Sequence, residues 1–194
     1  TDGSWQICRE LYCKYPAHVF ALDIGAKGKG LAVRTAWNKS KGTILAFMDT
    51  DLSSDLAFFL PLVDAVKYGG ADLAIGSRLG QDSKLISRHP IRKIASRCYN
   101  AFARFFLCTS YPDHQCGFKA MKSGSFAAVS SELSEDSFFF DTELIAVVLR
   151  HGFVVKSIDI AWREGDESKV SLFSDSMKMF FDILRLRMRL NKNR

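Results

Sequence analysis

The apolar run at 43–48, Thr-Ile-Leu-Ala-Phe-Met, stops on Asp49-Thr50-Asp51, and no other junction constrains the fold of this chain as tightly. A short run with β-branched and aromatic members, bounded by turn residues, reads as a strand, the strongest in the sequence. Such runs alternate along the sequence with stretches of helical periodicity, and that alternation predicts an α/β sheet.

The expected elements follow in order. A helix is predicted at 4–15 with Ser4 as its cap, then a strand at 18–22. Lys27-Gly28-Lys29-Gly30 forms a flexible turn into a helix at 31–40, which Gly42 ends. After the strand at 43–48, Ser54-Asp55 caps a helix at 56–68, and 71–75 is a further short strand. A basic loop at 76–89 leads into a long helix at 91–108. A loop at 111–116 precedes a strand at 118–121, and a helix at 141–151, a strand at 154–160 and a last helix at 174–190 complete the pattern. The first residues already resemble the end of a strand–turn–helix unit, so a βαβ unit is expected to precede them. Without it the sheet has an unpaired, apolar edge.

A chain of 194 residues suits one domain that buries roughly 70% of its unfolded surface. With 47% hydrophobic residues, 25% charged residues and only four prolines, disordered and collagen-like classes are excluded. The five cysteines, at 8, 13, 98, 108 and 116, are odd in number and include no Cys-x-x-Cys pair, which argues against a disulfide framework or a structural zinc site and points to a reducing compartment. The apolar stretch at 56–66 is too short to span a bilayer and contains Pro61; no signal peptide is expected.

The net charge of +6 is unevenly spread. From Arg78 to Arg104 there are seven Lys/Arg against one acid, Asp82, and from Ile183 to Arg194 there are five Lys/Arg and no acid. Two patches this clean suit an anionic partner: phosphate, nucleic acid or an acidic membrane surface.

Asp49 and Asp51 stand at i and i+2, so in extended backbone both carboxylates leave one face and can share a hard divalent cation. Ligands of open α/β sheets bind beyond the carboxyl ends of strands, where this pair lies. Alternatively, the two residues start a turn and help cap the next helix. The histidines at 18, 89, 114 and 151 have no metal-ligand spacing, and no Ser/His/Asp or Cys/His arrangement is supported.

Several segments together resemble the inverting glycosyltransferases of family 2, with their nucleotide-sugar-binding fold. Thr1-Asp2-Gly3-Ser4 resembles the nucleoside-holding Asp-Asp-Gly-Ser, with Thr1 in place of the first Asp. Lys27-Gly28-Lys29-Gly30, Ala32 and Arg34 resemble the nucleotide-side turn and helix, and Asp49-Thr50-Asp51 the metal motif. The second half resembles the branch that glycosylates polyprenyl phosphates, the dolichyl-phosphate mannose and glucose synthases and their bacterial undecaprenyl counterparts. The matching pieces, in family order, are Gly76-Ser77-Arg78, Arg92 with Ser96, Asp113-His114-Gln115-Cys116-Gly117-Phe118-Lys119, Phe140-Asp141-Thr142-Glu143-Leu144, and Trp162 followed by Ser168-Lys169-Val170. Where the family often has a Gln, two residues after the second Asp, this chain has Ser53.

The resemblance implies an α/β fold of the glycosyltransferase A type, with a mixed sheet flanked by helices. It further implies a catalytic domain over 1–170 and a basic amphipathic helix over 171–194. Asp49 and Asp51 would hold Mg²⁺ or Mn²⁺; Asp2, Gly28, Lys29, Arg34, Gln115, Arg163 and Lys169 would bind the nucleoside-diphosphate sugar; Arg78, Arg92 and Ser96 would clamp the acceptor phosphate. Asp51, through the metal, and Asp113, as an orienting group or base near the sugar, carry the catalytic roles. Arg88, His89 and Arg97 are further candidates for the clamp, and Lys119 either approaches the diphosphate or faces solvent. Asp141 either serves the site or caps its helix.

The implied reaction is direct displacement, transferring a hexose, glucose or mannose, from a UDP- or GDP-sugar to a polyprenyl phosphate. A lipid phosphate oxygen is already anionic, so the enzyme chiefly has to position two repelling anions. The terminal helix, with Met177, Phe180, Phe181 and the arginines at 185, 187 and 189, can lie in a headgroup layer, and Phe102, Phe105 and Phe106 can add a second contact. Both helices can equally pack on the sheet. A peripheral position on the cytoplasmic side of a membrane follows, with no nucleic-acid partner. The rival readings are a saccharide hydroxyl acceptor, which needs Asp113 as a true base, and a non-catalytic nucleotide-sugar or membrane-binding module.

Overall fold

The structure is a computed structural model describing residues 3–87, 90–163 and 174–192. Strands β1 (Ile44–Met48), β2 (Leu73–Ser77), β4 (Phe118–Lys122) and β5 (Val155–Asp159) form a mixed sheet in the order β1-β4-β2-β5. β4 runs antiparallel to both β1 and β2, and β2 runs parallel to β5. β3 (Lys84–Ser87) and β6 (Ala161–Arg163) make a small parallel pair beyond the end of β5.

Alternation along the strands distributes side chains to two cores, because successive residues leave opposite faces. On one face Leu73, Ile75 and Met121 pack with Val33 and Trp37 of α2 (Lys29–Lys39) and with Leu144 and Val148 of α6 (Phe140–Arg150). On the other, Ala74, Phe118 and Ala120 meet Leu62 and Val66 of α3 (Phe59–Lys67). A third cluster joins Tyr99 and Ala103 of α4 (Pro90–Leu107) to Ile183 and Leu186 of α7 (Ser174–Lys192). Among the described residues no helix is long and apolar enough to cross a membrane.

Most expected elements are present, and four differ. Residues 18–22 join neither sheet and leave Phe20 79% exposed; an apolar pattern makes a strand only where a ladder partner stands beside it. β1 is the edge of the sheet as described. Gly3, not Ser4, caps α1 (Ser4–Lys14), with φ 79° and no side-chain cap bond. The expected basic loop at 76–89 contains β3, and a helix absent from the pattern, α5 (Ser123–Val129), follows β4. The cap at Asp55 is as expected, its carboxylate accepting from the Ala57 N–H at 2.9 Å.

Candidate active site

The carboxyl end of β1 is a turn, the second of the two conformations the sequence allowed, and not the extended segment. The Leu52 N–H donates to the Asp49 carbonyl at 3.3 Å and Leu52 adopts φ 52°, so the chain reverses inside the aspartate motif. Asp51 accepts from the Ser53 N–H at 3.0 Å, an Asx turn that fixes its carboxylate locally. Asp49 is held from the neighbouring strand, its N–H donating to the Gly117 carbonyl at 2.9 Å. A Cβ at position 117 would overlap the Asp49 carboxylate, so this glycine makes room for it.

Asp49 opens a chain of alternating charges. The Lys29 ammonium, on the first residue of α2, lies 2.7 Å from Asp49 and 2.6 Å from Asp141. Asp141 in turn binds Lys119 at 2.7 Å, and Lys119 also donates to the Cys116 carbonyl. Strand alternation sends Lys119 to the α6 face, opposite Phe118, which is why it meets the second residue of that helix. Both ammoniums stand over the Phe47 ring, 5.4 Å and 5.8 Å from its centroid. Burial works against the Lys29 charge, but Asp141 and Asp49 outweigh it and hold the ammonium above the ordinary lysine range. Lys119 is fully buried, which excludes the solvent-facing alternative, and Asp141 bridges two lysines instead of capping α6.

A second charged pair lies nearby in sequence but on its own elements. Arg78, just past β2, donates Nε and Nη2 to the two oxygens of Asp113 at 2.7 and 2.9 Å, and the Arg78 and Gln115 N–H groups add bonds of 3.1 Å each. Burial alone would raise the Asp113 pKa; Arg78 overrides it and the carboxyl falls to about 2. Asp113 is therefore ionised at neutral pH and held in place by Arg78, a carboxylate of low basicity. By the same geometry the fork of Arg78, expected to receive an acceptor phosphate bidentately, is bonded to Asp113; Trp162 lies 5.4 Å beneath the guanidinium.

His114, next to Asp113, is bound to α4. Asn100 Oδ1 accepts from both the His114 N–H (2.7 Å) and Nδ1 (2.9 Å), so Nδ1 carries the proton and Nε2 accepts from the Thr109 hydroxyl at 2.7 Å. Burial pushes this imidazole down to about 4. Asn100 also donates to the Ser96 carbonyl at 2.9 Å, and Arg92, Ser96 and Asn100 follow one another at four-residue spacing. This stripe of α4 connects two acceptor-phosphate candidates, Arg92 and the buried Ser96, to the loop that carries Asp113.

Other sequence-predicted residues make contacts within the protein. Arg34 donates to the Leu133 carbonyl at 2.8 Å and pairs with Asp136, fastening α2 to the 133–136 loop. Gly28 (φ 156°) and Gly30 back onto that same loop: a Cβ on either would overlap the carbonyl of Asp136 or Glu135. Gly28, expected at the nucleotide, and Gly30 thus let the turn pack closely on this loop. Gln115 donates to the Met179 sulfur on α7 at 2.9 Å. Arg163 is exposed, and its N–H donates to the Ser53 carbonyl at 2.9 Å, bringing the end of β6 to the aspartate motif. Asp2, Arg88, His89, Ser168, Lys169 and Val170 lie outside the described residues.

The donor chemistry fits a hard divalent ion. Asp49 and Asp51 supply carboxylate oxygens, and the Ser53 hydroxyl in the same turn is buried without a hydrogen-bond partner. Among the described residues no group of three or more His, Cys, Asp or Glu gathers for a metal. A site of one or two carboxylates, completed by phosphate oxygens and water, is the pattern of nucleotide-bound Mg²⁺. Sequence reasoning missed Asn100, whose buried amide joins α4 to His114, because nothing in the linear pattern distinguishes it from a surface residue.

Residues 1–130 match the family model described as Glycosyl transferase family 2. The chain is 36% identical over 158 residues to glycosyltransferase AglD of Haloferax volcanii, covering 81% of this chain and 25% of that protein. It is 30% identical over 206 residues to the dolichyl-phosphate beta-glucosyltransferase of Saccharomyces cerevisiae, covering 97% of this chain and 61% of the relative. The chain thus spans less than two thirds of the length of either. In fold it is similar to glucosyl-3-phosphoglycerate synthase of Mycobacterium tuberculosis. The phosphoglyceric acid complex gives a TM-score of 0.64 at 14% identity, covering 96% of this chain and 65% of that one. The complex with Mn²⁺, UDP-glucose and glycerol 3-phosphate gives 0.57 at 14% identity, covering 85% and 55%. The mixed sheet flanked by helices is that of the glycosyltransferase A type, as the sequence resemblance implied.

Proposed function

The chain belongs to glycosyl transferase family 2, and we propose that it transfers a hexose, glucose before mannose, from a nucleoside-diphosphate sugar to a polyprenyl phosphate, inverting the anomeric centre and requiring a divalent cation. The observation that carries this is the Asp49–Lys29–Asp141–Lys119 chain at the carboxyl end of β1, where the Lys29 ammonium stands between the half-exposed Asp49 carboxylate and the buried Asp141. Glucose and a dolichyl-type acceptor are favoured because dolichyl-phosphate beta-glucosyltransferase is the name of relatives matching 97% and 84% of this chain. UDP as the donor nucleotide and Mn²⁺ as a competent ion are favoured by their presence in the structural neighbour.

Asp49 and Asp51 would hold the cation, which when bound supplies positive charge to the departing diphosphate. Lys29 would donate to a diphosphate oxygen, and Arg163 is assigned to the same group, as Lys169 is by the sequence resemblance. Arg92 and Ser96 hold the acceptor phosphate, with Arg78 supporting them from its anchored position. The phosphate oxygen is anionic before it attacks, so no proton has to be removed. Asp113, ionised down to about pH 2, orients Arg78 and the backbone before Gln115 beside the sugar.

The substrate's lipid calls for a membrane surface on the cytoplasmic side. Ile91, Ile94 and Phe105 stand exposed at helical spacing along α4, with Lys93, Arg97 and Arg104 beside them. Phe181 and Met188 of α7 are likewise exposed among Lys178, Arg185 and Lys192. Apolar side chains set among cations suit the headgroup layer of an anionic bilayer.

The test supplies radiolabelled UDP-glucose or GDP-mannose with polyprenyl phosphate or with an oligosaccharide acceptor, in wild type and Arg92→Ala. Label in the organic phase from UDP-glucose, lost in Arg92→Ala, is the expected result. Label entering only the oligosaccharide, undiminished by Arg92→Ala, would overturn the acceptor assignment.

A further inference from the structure

Lys29 occupies an unusual position for a structural lysine. One of its partners, Asp141, is 1% exposed and already neutralised by the buried Lys119 at 2.7 Å. Its other partner, the Asp49 side chain, is 45% exposed and belongs to the motif that would receive a divalent cation. Lys29 itself is 13% exposed, so its ammonium sits at the boundary between the buried pair and the open end of the site.

The two contacts differ in what their loss would cost. Separation from Asp141 would leave Lys29 largely buried beside the Phe47 ring with an exposed partner alone. Separation from Asp49 leaves Lys29 still bonded to Asp141 at 2.6 Å, with a free ammonium hydrogen at the mouth of the site. The Asp49 contact is therefore the one that can be given up.

From this we infer that Lys29 is an exchangeable counter-ion of Asp49, which makes cation binding conditional on the diphosphate. The inference rests on the reading of Asp49 and Asp51 as cation ligands. A cation arriving alone must displace an ammonium from Asp49 and then sit beside that ammonium's uncompensated charge. A cation arriving with a diphosphate does neither, because a phosphate oxygen takes the hydrogen bond that Asp49 releases. The two ligands are thereby coupled through one side chain, in addition to any direct contact between them, and the coupling is reciprocal. An enzyme so built does not stay loaded with a cation when the nucleotide has left.

The test is a titration of Mn²⁺ followed by the electron paramagnetic resonance signal of the free aquo ion, with and without UDP, in wild type, Lys29→Met and Lys29→Gln. Thermal unfolding of each protein accompanies it. The account predicts that Mn²⁺ alone binds at least about fivefold tighter in both variants, and that the tightening produced by UDP shrinks by a similar factor. Mn²⁺ affinity that is unchanged or weaker in folded Lys29→Gln would overturn the inference while leaving the cation site intact. Loss of the folded state in both variants would make Lys29 a fixed tie and overturn it equally. Absence of Mn²⁺ binding to wild type even with UDP would defeat the cation reading itself, and this inference with it.

Discussion

Asp113 grips Arg78 through both carboxylate oxygens, 2.7 Å to Nε and 2.9 Å to Nη2, with the carboxylate fully buried. This pair joins the end of β2 to the loop before β4, and it turns two residues that sequence alone assigns to separate substrates into one anchor. A buried ion pair of this kind is costly to break singly, because the surviving charge has no partner.

Asp113→Asn should accordingly lower the unfolding free energy by about 3–5 kcal/mol, as breaking one side of a buried pair does. Joint replacement, Arg78→Met with Asp113→Leu, should recover most of that stability but not the transfer activity. Urea unfolding together with a transfer assay separates the two. Full activity in the double variant would remove both residues from the site.

The acid side of the stability profile should be set by His114 and Asp113. His114 is held neutral, its pKa near 4 against 6.5 in the unfolded chain, so the unfolded state binds the extra proton. Stability is therefore lost as pH falls from about 6.5 to about 4, by up to about 1.4 kcal/mol per pH unit for this one group. Asp113 extends the loss further down, from 3.8 to about 2, because protonation must break its bonds to Arg78. Unfolding midpoints measured from pH 7 to pH 4 should lose much of their slope in His114→Gln. An unchanged slope would exclude His114 as the source.

Gly30→Ala should destabilise the protein by about 1–3 kcal/mol, since the added methyl meets the Glu135 carbonyl and the Phe140 side chain in a packed interior. The expected signature is a lower unfolding midpoint with little change in nucleotide affinity for the fraction that remains folded. A selective loss of UDP binding at unchanged stability would instead give Gly30 a role at the nucleotide.

Ile94→Asp and Phe105→Asp replace exposed side chains of α4, 62% and 77% accessible, and should leave the unfolding midpoint in place. Sedimentation with anionic vesicles should show binding weakened at least about tenfold in each, as expected for inserting a charge where an apolar group enters the headgroup layer. Unaltered sedimentation would direct the membrane contact to α7 or away from both helices.

What the sequence disclosed follows the range of the forces involved. The strand at 43–48, the cap at Asp55 and the terminal helix are set by neighbours a few residues apart, and they lie where the pattern puts them. The strand expected at 18–22 has the right apolar content but no ladder partner, a condition that no local pattern encodes. At the aspartate motif the sequence left an extended segment and a turn both open, and the Leu52–Asp49 bond and the Asx turn at Ser53 select the turn. Arg34 and Arg78 were legible as cations, but their partners Asp136 and Asp113 lie 102 and 35 residues away. Charge patterning marks a cation. It does not reveal whether the protein has already neutralised it.

The most direct test of the central claim is transfer of radiolabelled glucose from UDP-glucose into organic-extractable polyprenyl phosphate, by wild type and Asp51→Asn, with Mn²⁺ or with a chelator. Among the described residues Asp51 makes a local turn bond to the Ser53 N–H, and the variant should fold normally. The account predicts lipid-borne label from wild type with Mn²⁺, abolished by the chelator and reduced at least about a hundredfold in Asp51→Asn, on the scale of removing a group that stabilises developing charge. Lipid-borne label that survives both the chelator and Asp51→Asn would contradict it.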